Sequence, residues 1–533
     1  MSDDASGTDR ASVANERLLS LLQGIQSKTR FDHPVTRFQL IATHISYVLL
    51  AGPYAYKFKR PLDLGFLDFT TLDKRRSCCE EELRLNRRLA PQLYLEVVPI
   101  TGSAAVPVLR GTGPVMEYCV KMMEFPQEAQ LDRVLERGEL TACHVDDLAT
   151  QVGAFHASGA AAAADTPFGT VPQIGKYALE NCELMDTAHR DVIAMLQDLR
   201  AWTLERLGSL ENVFRTRKQN GRIRECHGDM HLSNMVLLND RVVIFDCIEF
   251  NEALRWIDVM NEIAFLLMDL DYRERSDLAY RFLNRYLEYT GDYPGLALLD
   301  FYRVYRSLVR AKVAYLQYRQ SGTHDESLHR FSRHVELAAT YTEQRSRPFL
   351  LITCGLSGAG KTSLTDRLME RSGAVRLRSD IERKRLEGLS LAARTGSPVG
   401  ADLYRPEMTG RTYERLLTLA REVLDSGFAV MVDATFLKRA HRQAFQQLAQ
   451  ELRLPFRILH VKANETTLRE RILCRQTQDQ DRDASEATVA VLDYQLRSRE
   501  PLTAEEEPFA VTVDTDARVD PDWIWNQLSG WGT

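Results

Sequence analysis

Apolar positions change their spacing along the chain, and each change marks a different kind of element. The opening MSDDASGTDRASVANER has no apolar rhythm and reads as a frayed polar tail, whereas NERLLSLLQGIQ carries helical spacing; together they make up residues 1–28. The run ISYVLLAGPYAYKFK then reads as strand, Gly52-Pro53 turn, strand, and further β-like runs follow at VPVLRG and VMEYCVKMM. From there to about residue 345 helical spacing dominates, so residues 29–345 are expected to form a small β-rich lobe followed by a helical lobe. The alanine run 160–164, beside Gly159 and Asp165, reads as a loop or helix end. A polar stretch closed by proline, RSRP at 345–348, predicts a domain boundary. Beyond it, over residues 346–533, the apolar runs FLLITC, AVRLRS, FAVMVD and FRILHV alternate with helical segments, the pattern of a doubly wound parallel sheet. The expected class is α+β in the first domain and α/β in the second.

Composition narrows what such a chain does. Its 533 residues exceed what one core accommodates, so two or three domains are expected from length. With 44% hydrophobic and 27% charged residues it reads as an ordinary soluble globular protein. A net charge of −6 gives no general electrostatic hold on nucleic acid or anionic membrane, so neither is an expected partner. The nine cysteines are scattered, odd in number and include the adjacent Cys78 and Cys79, which points to a reducing cytoplasm rather than a disulfide framework. No apolar run approaches the ~18 residues needed to span a bilayer, and the opening lacks a signal-peptide core. Nothing in the sequence fixes an oligomeric state.

The most specific chemistry lies just after the strand-like PFLLIT. Gly355, Leu356, Ser357, Gly358, Ala359, Gly360, Lys361 and Thr362 spell the phosphate-binding pattern G-x-x-x-x-G-K-[ST], with Ser363 next in the nucleotide-contacting set. Glycines let consecutive backbone N–H groups face a phosphate, Lys361 bridges the outer phosphates, and the Thr362 hydroxyl is a ligand for Mg²⁺. ATP and Mg²⁺ are therefore expected.

A second phosphate-transfer signature stands upstream. His227-Gly-Asp229-Met-His-Leu-Ser-Asn234 has the D-x-x-x-x-N spacing of a kinase catalytic loop, and Asp246 ends the apolar run RVVIFD. If MVLL and RVVIF pair across the turn-forming Asn239 and Asp240, Asn234 and Asp246 fall within about one residue of facing each other. An amide oxygen and a carboxylate would then meet at one spot, which suits Mg²⁺ carrying ATP phosphates, while Asp229 is placed to accept a proton from a substrate hydroxyl. Such a site also needs a strand lysine paired with a helical glutamate. AYKFKR offers Lys57 and Lys59; CCEEELRLNRRLA offers Glu80, Glu81 and Glu82. Lys57 is favoured by its alignment with the last residue of V-A-I-K and Glu82 by its place on the inward stripe, with Glu81 close behind.

On these motifs, residues about 30 to 345 resemble the aminoglycoside phosphotransferase, choline kinase and fructosamine kinase superfamily, which has a bilobal protein-kinase-like fold. The resemblance implies an interlobe hinge at Met123, Glu124 and Phe125 against the adenine, a nucleotide-covering loop near Ile45 and Ser46, and a structural aspartate at Asp258. Two departures stand out: DCI replaces the protein-kinase DFG, and no G-x-G-x-x-G loop precedes Lys57. Arg303, Arg306 and Arg310 share a helical face in FYRVYRSLVRAK, which is either an ion-paired face or, where this superfamily binds acceptors, an anchor for an anionic substrate through Arg306 and Arg310. His231 reads as packing or backbone support rather than a proton carrier.

In the second domain VMVDAT places Asp433 at a strand end, where a carboxylate holds Mg²⁺, and Ala434 follows in place of the glutamate that activates water in hydrolytic motors. VRLRSD ends another strand at Asp380, a candidate general base that is equally well read as a helix N-cap; Arg383, one turn on, is a candidate acceptor contact. Arg471 and Arg475 share a helical face before the polar QTQDQDRDASEA, and Arg482 lies within it. That arrangement resembles the lid of nucleoside-monophosphate, gluconate and polynucleotide kinases, whose arginines neutralise charge on the migrating phosphoryl group. The whole chain resembles the bacterial family described as bifunctional aminoglycoside phosphotransferase-like and ATP-binding proteins. The expected activity is ATP-dependent phosphoryl transfer to hydroxyls of small molecules at two nucleotide sites. Two alternatives stay open: the upstream domain is a regulatory nucleotide-binding module, or the P-loop domain is a nucleic-acid end kinase.

Overall fold

The computed structural model describes residues 4–65, 67–185, 190–321, 325–343, 348–391, 393, 405–478, 487–517 and 519–530. It divides into two compact units. The first comprises Met1–Asp147, Ala154–Gln173 and Arg215–Leu266; the second comprises Leu148–Gly153, Ile174–Phe214 and Leu267–Thr533.

The first unit is built on an antiparallel sheet of β1 (Phe38–Ala42), β2 (Ser46–Ala51), β3 (Tyr54–Lys59), β4 (Tyr94–Ser103), β5 (Val106–Leu109) and β6 (Glu117–Met123), in the order β1-β2-β3-β6-β4-β5. Strand β3 is buried on both sides, and its alternation separates two jobs. Tyr56 and Phe58 join an apolar cluster with Leu18, Leu21, Leu22 and Ile25 of the leading helix. Lys57 and Lys59 point the other way, toward the helix Leu72–Asn86. The leading helix starts at Asp4, inside the stretch expected to fray. Its spacing at 18, 21, 22 and 25 is the i, i+3, i+4, i+7 of an amphipathic face, and burying each such side chain contributes roughly 1.5–3 kcal/mol.

Below this sheet, β7 (Ile223–Glu225) pairs with the later β10 (Trp256–Asp258), and β8 (Met235–Leu238) pairs with β9 (Arg241–Ile244). Asn239 and Asp240 close the β8–β9 hairpin, both with positive φ (50° and 61°), as a two-residue primed turn demands. Asp258 makes two 2.7 Å bonds with Arg217 and accepts from the Met260 amide at 2.8 Å, a buried structural role.

The second unit holds a five-stranded parallel sheet of β11 (Leu350–Cys354), β12 (Val375–Arg378), β13 (Val430–Asp433), β14 (Phe456–Lys462) and β15 (Ala510–Asp514), in the order β12-β13-β11-β14-β15. Four of these strands are the predicted apolar runs. The helix Lys361–Ser372 follows β11 directly, so the phosphate loop opens onto the carboxyl ends of the strands. The same unit contains the helices Ser276–Thr290, Leu299–Ser321 and Asp325–Thr340, the last two packed as a pair around Leu308, Ala311, Phe331 and Val335. Compactness therefore does not follow the 345/346 division expected from sequence, because the helix Ser276–Thr290 packs on the helix Lys361–Ser372. Residues 345–347 of the expected boundary and Arg482 lie outside the described residues.

Candidate active sites

In the first unit, Lys57 Nζ lies 2.7 Å from Glu82 Oε1 and 2.5 Å from Asp246 Oδ1. Helix Leu72–Asn86 delivers Glu82: Thr71 caps it by accepting the Lys74 amide, and Asn86 turns back to donate to the Glu82 carbonyl at 2.9 Å. Glu81 belongs elsewhere, with Arg84 and Arg255, which decides between the two glutamates. Lys59 is not idle; it sits 2.6 Å from Glu82 Oε2 and also pairs with Glu249, a residue the sequence reading did not single out. Burial pulls the Lys57 ammonium down, but Asp246, Glu82 and Glu249 outweigh it and hold its pKa well above the usual lysine value. Burial pushes Glu82 up, and Lys57 and Lys59 override it to keep the carboxylate ionised.

The catalytic-loop candidates converge on the same spot. Phe245 N donates to Asn234 O at 2.9 Å, continuing the β8–β9 register, so Asp246 falls one residue past Asn234. Asp246 adopts φ 66°, an uncommon conformation for a residue other than glycine, and its amide donates to Tyr94 Oη at 3.2 Å. Asn234 Nδ2 donates to the Asp229 carbonyl at 3.0 Å and to Asp229 Oδ2 at 2.8 Å. With both amide hydrogens spent on Asp229, the Asn234 oxygen is left as an acceptor for a cation. His231 Nε2 also approaches Asp229 Oδ2, at 3.3 Å, so this histidine touches the candidate base as well as packing on Phe265. His227 is buried; its Nδ1 accepts the Asp229 amide at 3.3 Å, which leaves Nε2 to donate to the Phe245 carbonyl at 2.9 Å. Burial pushes its pKa down to about 4, so it ties the loop to the strand as a neutral ring. Glu262 accepts the Gly228 amide at 2.9 Å and the His227 amide, holding the turn from below.

Two of the nucleotide-flanking candidates, Met123 and Phe125, pack on an apolar cluster. Ala55, Met122, Val236 and Phe245 belong to one buried cluster, with Val48, Met123 and Phe125 against it. Glu124 N donates to Pro53 O and Met123 N to Leu93 O, fixing the expected hinge. Thr43 brackets the turn before β2 by accepting the Ser46 amide at 2.9 Å, so Ile45 and Ser46 sit at a tight β1–β2 corner.

In the second unit, Gly358 and Gly360 take φ values of 84° and 89°, which only glycine adopts without strain. A Cβ on Gly358 would stand 2.8 Å from the Leu468 carbonyl oxygen. Lys361 Nζ donates to the Leu356 carbonyl at 2.8 Å across the turn, and Ser357 is clamped by Gln495, which accepts its amide at 2.9 Å and donates to its Oγ at 3.0 Å. Burial pulls the Lys361 pKa down, against Asp433 and Asp380. Thr362 Oγ1 donates to Asp433 Oδ2 at 2.7 Å, so the two expected metal ligands are already together. Asp380 corrects one expectation: it is not the N-cap of helix Ser379–Leu386 but lies in its first turn, where Arg383 Nη1 donates to it at 3.0 Å. Arg378 holds the cap position and offers no capping side chain.

Ser357, Gly358, Gly360, Lys361, Thr362, Asp380, Arg383 and Asp433 line one cavity of about 940 Å³, together with Ser363, Arg471 and Arg475, whereas the expected contacts Gly355, Leu356 and Ala359 are not part of its wall. Arg471 donates to the Gly358 carbonyl at 3.3 Å and to Thr515 O at 2.7 Å, against the loop. Thr515, Gln495 and Tyr413 were not legible as site residues, because they carry no motif and arrive from distant segments. Arg303 pairs with Asp271 and Asp300; Arg306 is buried over Tyr305, and Arg310 is half-buried.

Residues 71–299 match the phosphotransferase enzyme family, and residues 350–502 match the family described as AAA domain. The chain joins a phosphotransferase-family domain to a P-loop kinase-like domain. It is an ATP-dependent kinase. A protein of Mycobacterium tuberculosis described as uncharacterized is 29% identical over 462 residues, spanning 85% of this chain and 90% of its own length. A Mycobacterium bovis protein with the same description matches to the same extent. Among solved structures, the fusion is similar to an amicoumacin kinase in complex with AMP-PNP, Ca²⁺ and Ami, at 12% identity over 62% of this chain and 96% of that one, TM-score 0.41. It is also similar to a Plasmodium vivax ethanolamine kinase (12%, covering 57% and 81%, TM-score 0.37) and a gluconokinase from Sinorhizobium meliloti (22%, covering 34% and 91%, TM-score 0.23). Among the described residues no helix is long and apolar enough to cross a membrane.

Proposed function

We propose that each half of this kinase carries its own ATP·Mg site and moves a γ-phosphoryl group onto the hydroxyl of a small molecule. The observation that carries the reading is the pair of preassembled ligand sets: Asn234 and Asp246 beside Lys57 in one half, Thr362 bonded to Asp433 beside Lys361 in the other. Both sets fit a hard divalent cation. Upstream, the carboxylates of Glu82, Glu249 and Asp246 outnumber the ammoniums of Lys57 and Lys59, and Asp246 is the one whose side chain stays open, at 41% exposure. Mg²⁺ held there would neutralise charge on the triphosphate.

Around that charge the protein's own groups act as follows. Lys57, steadied by Glu82, grips the α and β phosphates. Asp229, held in one orientation by Asn234 and His231, takes the proton of the acceptor hydroxyl as the phosphoryl group leaves ATP. In the P-loop half, Lys361 exchanges its bond to the Leu356 carbonyl for the outer phosphates, Asp380 serves as base, Arg383 steadies the acceptor, and Arg471 and Arg475 offset charge on the migrating group. The hinge Met123–Phe125 and the corner at Ile45 and Ser46 receive the adenine end upstream. All nine cysteines are free thiols, which supports a cytoplasmic location. An untargeted metabolite comparison of cells carrying wild type or Asp229→Ala, followed by phosphorylation assays on what accumulates, tests the upstream half. Absence of acceptor-dependent ADP formation with every accumulated hydroxyl compound would refute it.

A further inference from the structure

Strand β12 reads Val375-Arg-Leu-Arg378, and all four side chains are buried. A strand covered on both faces calls for apolar residues, so two interior guanidiniums on one face require carboxylates close by. Asp366, on the P-loop helix Lys361–Ser372, supplies one, at 2.6 Å from Arg376 Nη1. The other is Glu288, on the helix Ser276–Thr290, within the residues that match the phosphotransferase family. Glu288 Oε1 accepts from Arg376 Nη2 at 2.6 Å and Nε at 2.8 Å, and Glu288 Oε2 stands 4.0 Å from Arg378 Nη1. Burial pushes Glu288 up, but Arg376, Arg285 and Arg378 outweigh it and keep it ionised.

Those arginines lead straight to the cation ligands. Arg376 Nη1 donates to the Thr362 carbonyl at 3.4 Å and to Thr365 Oγ1 at 3.2 Å, while Arg378 Nε lies 3.7 Å from Asp433 Oδ2. The same helix holds the strand's backbone: Asn284 Oδ1 accepts the Arg376 amide at 2.6 Å, and Asn284 Nδ2 donates to the Ala374 carbonyl at 3.1 Å. Arg285, bonded to Asp366 at 3.0 Å, reaches the wall of the P-loop cavity itself. A residue of the phosphotransferase match thus lines the nucleotide pocket of the other domain.

We propose that the helix Ser276–Thr290 is a working part of the P-loop site, with Glu288 as a positioning residue that holds Arg376 and Arg378, and through them keeps Thr362 and Asp433 in register to take a divalent cation. The proposal rests on the P-loop half binding nucleotide with Mg²⁺. A helix that served only as glue between domains would affect unfolding and leave metal-dependent binding alone. Outer partners of metal ligands, by contrast, change metal affinity by about 10- to 100-fold when altered.

The test is ADP titration of the full chain, with and without Mg²⁺, for wild type, Lys361→Ala, Glu288→Gln and Arg281→Ala, each with its melting temperature. Lys361→Ala identifies which binding event belongs to the P-loop. Glu288→Gln is expected to weaken that event about tenfold in Mg²⁺ while Mg²⁺-free affinity moves less than about twofold. Arg281→Ala, which removes the 2.6 Å pair with Glu370 between the same two helices, is expected to lower the melting temperature and keep the wild-type Mg²⁺ ratio. If Glu288→Gln does not fold, Glu288→Asp, which keeps the charge at shorter reach, is expected to show a smaller loss in the same ratio. An unchanged ratio in the Glu288 variants, or an equal loss in Arg281→Ala, overturns the positioning role. Titrations identical for wild type and Lys361→Ala would instead remove the P-loop nucleotide site on which the proposal stands.

Discussion

The two candidate sites are opposites in how they are written and how they are held. The P-loop signature is contiguous, Gly355 to Thr362, yet the buried arginines behind its cation ligands take a carboxylate from Glu288, 88 positions before Arg376. The upstream site is scattered over residues 57, 82, 229, 234 and 246, yet Tyr94, Glu249 and Glu262, which hold it, lie within the same compact unit. A motif continuous in sequence is therefore not a self-sufficient piece of structure, and a discontinuous one is not a loose assembly. Contiguity follows from what the chemistry asks of the backbone. A phosphate cradle is made of consecutive N–H groups, whereas a lysine–carboxylate cluster is made of side chains that any neighbouring element can bring.

The strongest way to break this comparison is to silence one site at a time. Asp229→Ala and Lys361→Ala should each remove one acceptor-dependent ADP-forming activity by about 10²–10⁴-fold while leaving the other within about twofold. Steady-state assays on the two acceptors read it directly, and a single variant that silences both would show that the sites are not separate. Next in size is the effect of stripping bonds from a buried charge. Arg376→Ala takes from buried Glu288 its two shortest bonds, leaving it Arg285 and the more distant Arg378, and should cost about 1–3 kcal/mol in denaturant unfolding, more than removing an exposed pair such as Lys438–Glu500. A small penalty for Arg376→Ala would mean that the link to the helix Ser276–Thr290 is dispensable.

Acid stability compares the two units through one buried histidine in each. Burial lowers His227 to about 4 in the first unit and, with Arg310 adding to the effect, His334 to about 3 in the second, where its ring stacks on Tyr272 at 4.0 Å. Both folded values lie below the unfolded value near 6.5, so below that pH the unfolded chain binds more protons than the native one. The stabilisation is complete above about pH 6.5 and is lost as pH falls toward the folded values, by about 2 kcal/mol per histidine between pH 6.5 and 5. His227→Gln and His334→Gln should each flatten that decline in melting temperature. A decline equally steep in both variants would place the acid sensitivity in the carboxylates instead.

Much of this is legible in the sequence. The Asn239-Asp240 turn set the register that brings Asn234 next to Asp246, because residues tolerant of positive φ are rare and specific. Helical phase favours Glu82 but leaves Glu81 close behind, and it is the pairing of Glu81 with Arg84 and Arg255 that separates them. Other features had no local signal. Strand β15 hides behind the acidic EEE of residues 505–507, and Gln495 and Thr515 are ordinary residues until folding brings them to the loop. His231, which reads as packing or backbone support, also touches Asp229. Arg376 and Arg378 were visible as charges in an apolar strand, but that anomaly names no partner.

The smallest test concerns how the two functional helices begin. Thr71 caps the helix Leu72–Asn86 by accepting the Lys74 amide at 3.3 Å, whereas the helix Lys361–Ser372 starts after Gly360 with no side-chain cap. The difference matches their tasks: one helix carries Glu82 on its interior and needs its end closed, while the other needs free N–H groups pointing at phosphate. Thr71→Ala should therefore cost about 1 kcal/mol whether or not nucleotide is present, since no ligand takes over that end. Denaturant unfolding with and without ADP and Mg²⁺ measures it. A penalty that disappears when nucleotide is added would mean that the upstream helix end, too, is completed by the ligand, and the contrast between the two helices would fall.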